Sequence, residues 1–158
     1  PMRPCFLADG SMMIGQTGRG WYATGGFAHA LQRIVWDGKT VAGDILRVAA
    51  GAEGFEIHFT KPLTKAAVAK SVQVKSWFYT NTAEYGSPEH DVREDSVAST
   101  ELSDDGLTLG VKLKGFGKGD CWLDRIYQIT FPETEGAFGK HSAWERLQAF
   151  FTLRAIPK

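Results

Sequence analysis

One recurrence constrains this chain more than any other feature. Short stretches in which apolar and polar side chains alternate return at intervals of roughly 8–12 residues, each closed by a turn rich in Gly, Asp or Ser. In GFEIHF, residues 54–59, Phe55, Ile57 and Phe59 fall on one side and Glu56 and His58 on the other. Successive side chains of a pleated strand point to opposite faces, so a strand with one buried face reads this way. SVASTEL (96–102) and LTLGVKL (107–113) flank the turn Ser103-Asp104-Asp105-Gly106 and read as a hairpin, with Leu107, Leu109, Val111 and Leu113 inward. Helical periodicity is nearly absent. AAVAK, preceded by Thr64 as a candidate cap, reads as one short helical turn. The expectation is an all-β chain built as an antiparallel sandwich.

The remaining segments fit that frame. Residues 2–7 and 11–15 read as a hairpin around Ala8-Asp9-Gly10, followed by an aperiodic Gly-rich loop and a strand over 31–36. KTVAGD (39–44) reads as a linker, which divides the chain into an N-terminal hairpin-and-loop extension, 1–44, and a sandwich, 45–158. Further strands are expected over 45–50, 72–79, 121–131 and 148–155, and the imperfect alternation of 121–131 predicts a bulge there. Residues 80–95 read as a long polar loop, and the opening Pro-Met-Arg-Pro, inside a strand-like pattern, as the start of a fragment.

Charge and motifs narrow the function classes. Eighteen basic residues balance eighteen acidic ones, so no electrostatic footprint for nucleic acid or an anionic membrane is expected. No apolar run approaches the roughly 18–20 residues that span a bilayer. Cys5 and Cys121 fit no metal-binding spacing and read as two buried thiols in separate strands, with a long-range disulfide as the alternative. His29, His58, His90 and His141 are scattered, and the acidic run His90–Asp95 reads as a solvated loop rather than a calcium site. GQTGRG lacks the Gly-Lys-Ser/Thr ending of a phosphate-binding loop, and no serine lies in a GxSxG turn. No catalytic residue and no metal ligand is expected.

The strand over 72–79 is the exception to this blandness. If Val72, Val74, Ser76 and Phe78 face the core, then Gln73, Lys75, Trp77 and Tyr79 face outward, with Tyr85 in the loop that follows. A sandwich buries one face per sheet, so these five residues are the candidate binding surface. Three outcomes are open for it: cover by residues 1–44, docking of a partner, or stacking against a sugar ring.

Two resemblances accompany these readings. GFEIHFTKPL and STELSDDGLTLGVKL, within 45–155, resemble the strands of secreted bacterial immunoglobulin-like domains. RPCFLADGSMMIGQTGRGW followed by LQRIVWDGKT, with AEYGSP after SWFYTNT, resembles the passage from a β-propeller into a C-terminal module in large secreted proteins of planctomycete and verrucomicrobial type. There the propeller is similar to soluble sugar dehydrogenases of the sorbosone dehydrogenase type, which use pyrroloquinoline quinone. The resemblance implies a non-catalytic accessory or interaction module of a secreted, sugar-oxidising multidomain protein, periplasmic or extracellular. Its implied partner is a neighbouring propeller or cytochrome c domain of the same parent chain; the alternative is a carbohydrate-binding module for polysaccharide. Quinone-binding residues would lie in the propeller and no CxxCH haem motif is present, so no cofactor is implied for this chain.

Overall fold

The computed structural model describes residues 3–17, 29–64, 66–119, 122–132, 134, 136–139 and 147–157. These form an all-β structure of three antiparallel sheets, with one five-residue helical turn, α1 (Ala66–Lys70). Among the described residues no helix is long and apolar enough to cross a membrane. The chain parts into two compact units between Thr40 and Val41. The Thr60 hydroxyl explains why residues 42–44 go with the second unit: it donates to the Ala42 carbonyl at 2.6 Å and accepts from the Asp44 N–H at 2.8 Å.

The first unit is a meander of β1 (Arg3–Phe6), β2 (Met12–Thr17) and β3 (His29–Ile34), in that order. The expected hairpin is present. Gly10 takes a left-handed φ of 80° in its turn, where a missing Cβ removes the steric cost. The Asp9 carboxylate accepts from the Ser11 N–H and hydroxyl and from Arg33. Cys5, expected to be buried, is exposed; Cys121 lies outside the described residues, as do residues 18–28 of the Gly-rich loop and His141.

The second unit contains β4 (Ile45–Gly51), β5 (Gly54–Phe59), β6 (Gln73–Phe78), β7 (His90–Asp95), β8 (Val97–Leu102), β9 (Thr108–Leu113), β10 (Arg125–Phe131) and β11 (Leu147–Leu153). One sheet has the order β4-β5-β9-β8, the other β11-β10-β6-β7. Phe55, Ile57, Leu109 and Val111 from the first share one buried cluster with Val74, Tyr127, Ile129 and Phe131 from the second. Phe55 anchors it, with ring centroids 5.0 Å from Tyr127 and 5.5 Å from Phe116 and Phe151. Aromatic rings meeting at such tilted and edge-on angles combine large area burial with favourable quadrupole geometry.

Three local expectations are corrected. Part of the polar loop 80–95 is strand β7, which pairs with β6 through its backbone while carrying polar side chains on both faces. Phe78, expected in the core, lies on the same side as inward-facing Arg125, whose guanidinium it covers, but is 38% exposed because the strand ends there. β10 pairs without interruption from Arg125 to Phe131; the irregularity expected in that stretch lies just before it, at Asp124. The Thr64 hydroxyl lies 3.1 Å from the carbonyl oxygens of Gly136 and Ala137, to which it donates, and so tethers that loop to the start of α1.

Candidate functional site

Ser76 and Trp77 are neighbours on β6 and point to opposite faces, as pleating demands. Trp77 lies outside the buried cluster between the sheets, so the sequence-based assignment of faces stands. The outward ring is nevertheless covered, being only 3% accessible. Tyr79 and Phe150 meet it edge-on, each with centroids at 6.3 Å, and the Lys75 ammonium sits 5.0 Å from its centroid. The Trp77 Nε1–H has no hydrogen-bond partner among the described residues.

The structure thus gathers Lys75, Trp77 and Tyr79. Lys75 also pairs with Glu89 at 2.9 Å. Gln73 is exposed and lines a shallow groove with Lys75, Glu94, Gln128 and Thr130. Tyr85 stands fully in solvent, in a loop closed by the Thr80 N–H donating to Ser87 Oγ.

Tyr79 also belongs to a second feature, at the end of the same sheet. Arg125 opens β10 on the inward face, in phase with Tyr127, Ile129 and Phe131, and is 3% exposed. Its Nε–H donates to Ser76 Oγ at 3.1 Å, Nη2 donates to the carbonyls of Ser76 and Asp91, and Nη1 donates to Asp91 Oδ2 at 2.8 Å. A buried guanidinium is tolerated when its fork of donors is met in this way.

Asp91 sits where β7 carries one residue more than β6, and its backbone is left-handed, with φ 47°. Asp124, next to Arg125, has φ 58°. Among the described residues these are the two non-glycine positions with positive φ, and both line one cleft of about 330 Å³ with Phe78, Tyr79, Arg93, Leu123 and Arg125. The Phe78 ring covers the Arg125 guanidinium at 5.9 Å and stacks on His90 at 5.6 Å.

No protein family, curated protein or solved structure was found to match this chain. The site is therefore read from its own chemistry.

Hydrogen bonds from Arg93 and then Arg125 hold the Asp91 carboxyl below the usual carboxylate range, so it stays ionised in mild acid. Nearby, burial raises Asp95, a shift that a hydrogen bond from Ser76 partly offsets. Among the described residues no three His, Cys, Asp or Glu side chains gather as a metal site would require. The cleft offers two half-exposed aromatic rings beside fixed charges of both signs. That is contact chemistry: apolar area for packing, with ionic hydrogen-bonding groups for orientation.

Sequence reasoning missed Arg125, Asp91 and Phe78. Arg125 had a readable signal, a charge in register with three apolar residues of RIYQITF. Asp91 had none, since a bulge on a polar edge strand leaves no periodic trace.

Proposed function

We propose that this chain is a non-catalytic accessory module of a larger secreted, sugar-oxidising protein, and that its second unit is an immunoglobulin-like sandwich. The module contacts a neighbouring domain through the cleft lined by Phe78, Tyr79, Asp91, Arg93 and Arg125. One observation carries the site: both left-handed aspartates border the same cleft. Strained backbone persists where surrounding structure over-determines it, and it concentrates at binding and switch regions. For Asp91 the constraint comes from Arg125, and for Asp124 from its N–H donating to the Leu153 carbonyl and its carboxylate pairing with Arg154.

Two features support the immunoglobulin-like reading. The orders β4-β5-β9-β8 and β11-β10-β6-β7 correspond to the A-B-E-D and G-F-C sheets of that fold, with one further strand beside C. Tyr127, near the start of the strand equivalent to F, donates its hydroxyl to the Trp122 carbonyl at 2.8 Å, the arrangement of a tyrosine corner. The secreted, propeller-linked setting, periplasmic or extracellular, rests on the resemblance of the N-terminal residues. So does the identity of the partner, a propeller or cytochrome domain of the parent protein.

Binding to the separately produced neighbouring domain tests the reading. Tyr79→Ala with Arg93→Ala should weaken it at least about tenfold, or about 1.4 kcal/mol, in a variant that circular dichroism shows to be folded. Unchanged affinity would discard the cleft.

A second reading, carbohydrate binding, draws on the same rings, because half-exposed aromatics flanked by carboxylates and guanidinium suit the C–H faces and hydroxyls of sugars. Soluble oligosaccharides titrated against the labelled chain separate the two. Shifts confined to Phe78, Tyr79 and Arg93 would favour sugar, and none would leave domain docking.

A further inference from the structure

We propose that the second unit self-associates through β11, pairing antiparallel with β11 of a second copy. Its two sheets have four edge strands, and an unpaired edge is a template for another strand that proteins usually guard with bulges or charges. β4 carries a register shift between Ile45 and Arg47, and a charge at Arg47. β7 has the shift opposite Ser76–Phe78 and reads HDVRED. β8 has a shift between Val97 and Ser99 and carries Glu101.

β11 has neither guard. It reads LQAFFTL, without charge, Pro or Gly, and its pairing with β10 runs unbroken over all seven residues. Among the described residues β10 is its one hydrogen-bonded strand partner, with β4 of the facing sheet running close to it without pairing. Phe150, at its centre, is 58% exposed, and inward-facing Ala149 and Phe151 are only partly buried.

Charge selects the occupant. With all six of its residues paired, β7 against a second β7 would set Asp91 against Glu94, which opposes that register, whereas β11 faces itself over its whole length without a charge conflict. Centred on Phe150, the antiparallel match is nearly palindromic. Leu147 meets Leu153, Gln148 meets Thr152, Ala149 meets Phe151, and Phe150 meets its symmetry mate, so apolar and polar positions coincide. The same patch then serves both copies, as a twofold interface requires. The product is one continuous eight-stranded sheet. This inference does not depend on the cleft, because Tyr79 and Arg93 take no part in it.

Sedimentation equilibrium of the full chain, from micromolar to millimolar concentration, reads the association. The mass should rise reversibly from that of one chain toward two. Phe150→Lys puts two ammonium groups opposite each other on an exposed site and should weaken the dimer by about tenfold or more, in a chain shown by circular dichroism to be folded.

Register is checked in a Cys5→Ser, Cys121→Ser background shown by circular dichroism to be folded. Directly opposed residues lie about 4.5–5.5 Å apart at Cα, within disulfide reach. Phe150→Cys should therefore cross-link to itself on mild oxidation, and Gln148→Cys, which faces Thr152, should not. A chain monomeric throughout would overturn the proposal. So would a dimer indifferent to Phe150→Lys, or one lost instead on Phe6→Lys in the first unit.

Discussion

Replacing Arg125 with methionine removes the guanidinium and keeps most of the side chain's length. Four hydrogen bonds disappear, and the Ser76 carbonyl and hydroxyl and the Asp91 carbonyl lose their donor. Ser76 is fully buried, so water cannot readily replace what is lost, and a buried polar group left unpaired costs about 1–3 kcal/mol. The Asp91 carboxylate is 46% exposed and keeps Arg93, so it adds little. Allowing for the apolar contacts methionine restores, the loss should be about 3 kcal/mol, the lower end for breaking a buried ion pair. Urea unfolding followed by circular dichroism should show a lower midpoint at unchanged slope. Arg125→Lys should recover less than half, because one ammonium cannot span the acceptors that a planar fork reaches. A loss under about 0.5 kcal/mol, the size of an ordinary surface substitution, would refute the view that Arg125 pins the β7 bulge to β10.

Three further outcomes follow from the same structure. Leu109→Ala, at a fully buried position between the sheets, should cost about 2–5 kcal/mol in denaturant unfolding; a loss under about half a kcal/mol would contradict the core assignment. Gly54→Ala would bring a Cβ to 2.0 Å from the Val111 carbonyl oxygen, so β5 and β9 must separate at a cost of about 1–3 kcal/mol, and an unchanged melting temperature would show that the strands lie further apart. Asp95, raised by burial, is favoured protonated in the folded state, so its contribution is full below its ordinary range and is lost as pH rises through the raised value. Asp95→Asn should therefore be more stable than the natural chain at neutral pH, with the gap closing in acid; a gap that widened in acid would reverse the sign.

How legible the fold was depends on how many faces of a strand are buried. GFEIHF and LTLGVKL were readable because each buries one face and leaves the other to water. β7 was not, because an edge strand held by backbone pairing needs no apolar side chain. For Trp77, alternation indicated the face but not the exposure, since part of its cover is Phe150, on a strand far along the chain. The cleft was the least legible feature. It is made where a strand end, a bulge and a buried charge from different strands coincide, and only the charge left a mark on the sequence. Tyr79 alone belongs both to the surface expected from the sequence and to the cleft in the structure.

Hydroxyl-radical footprinting of Phe78 and Tyr79, in this chain and in the longer parent protein proposed for it, tests most directly whether the cleft is a docking surface. In the 158-residue chain both rings should be labelled, as their exposures of 38% and 48% require. In the parent they should be protected, while Tyr85 is labelled equally in both. Equal labelling of Phe78 and Tyr79 in the two proteins would contradict the account.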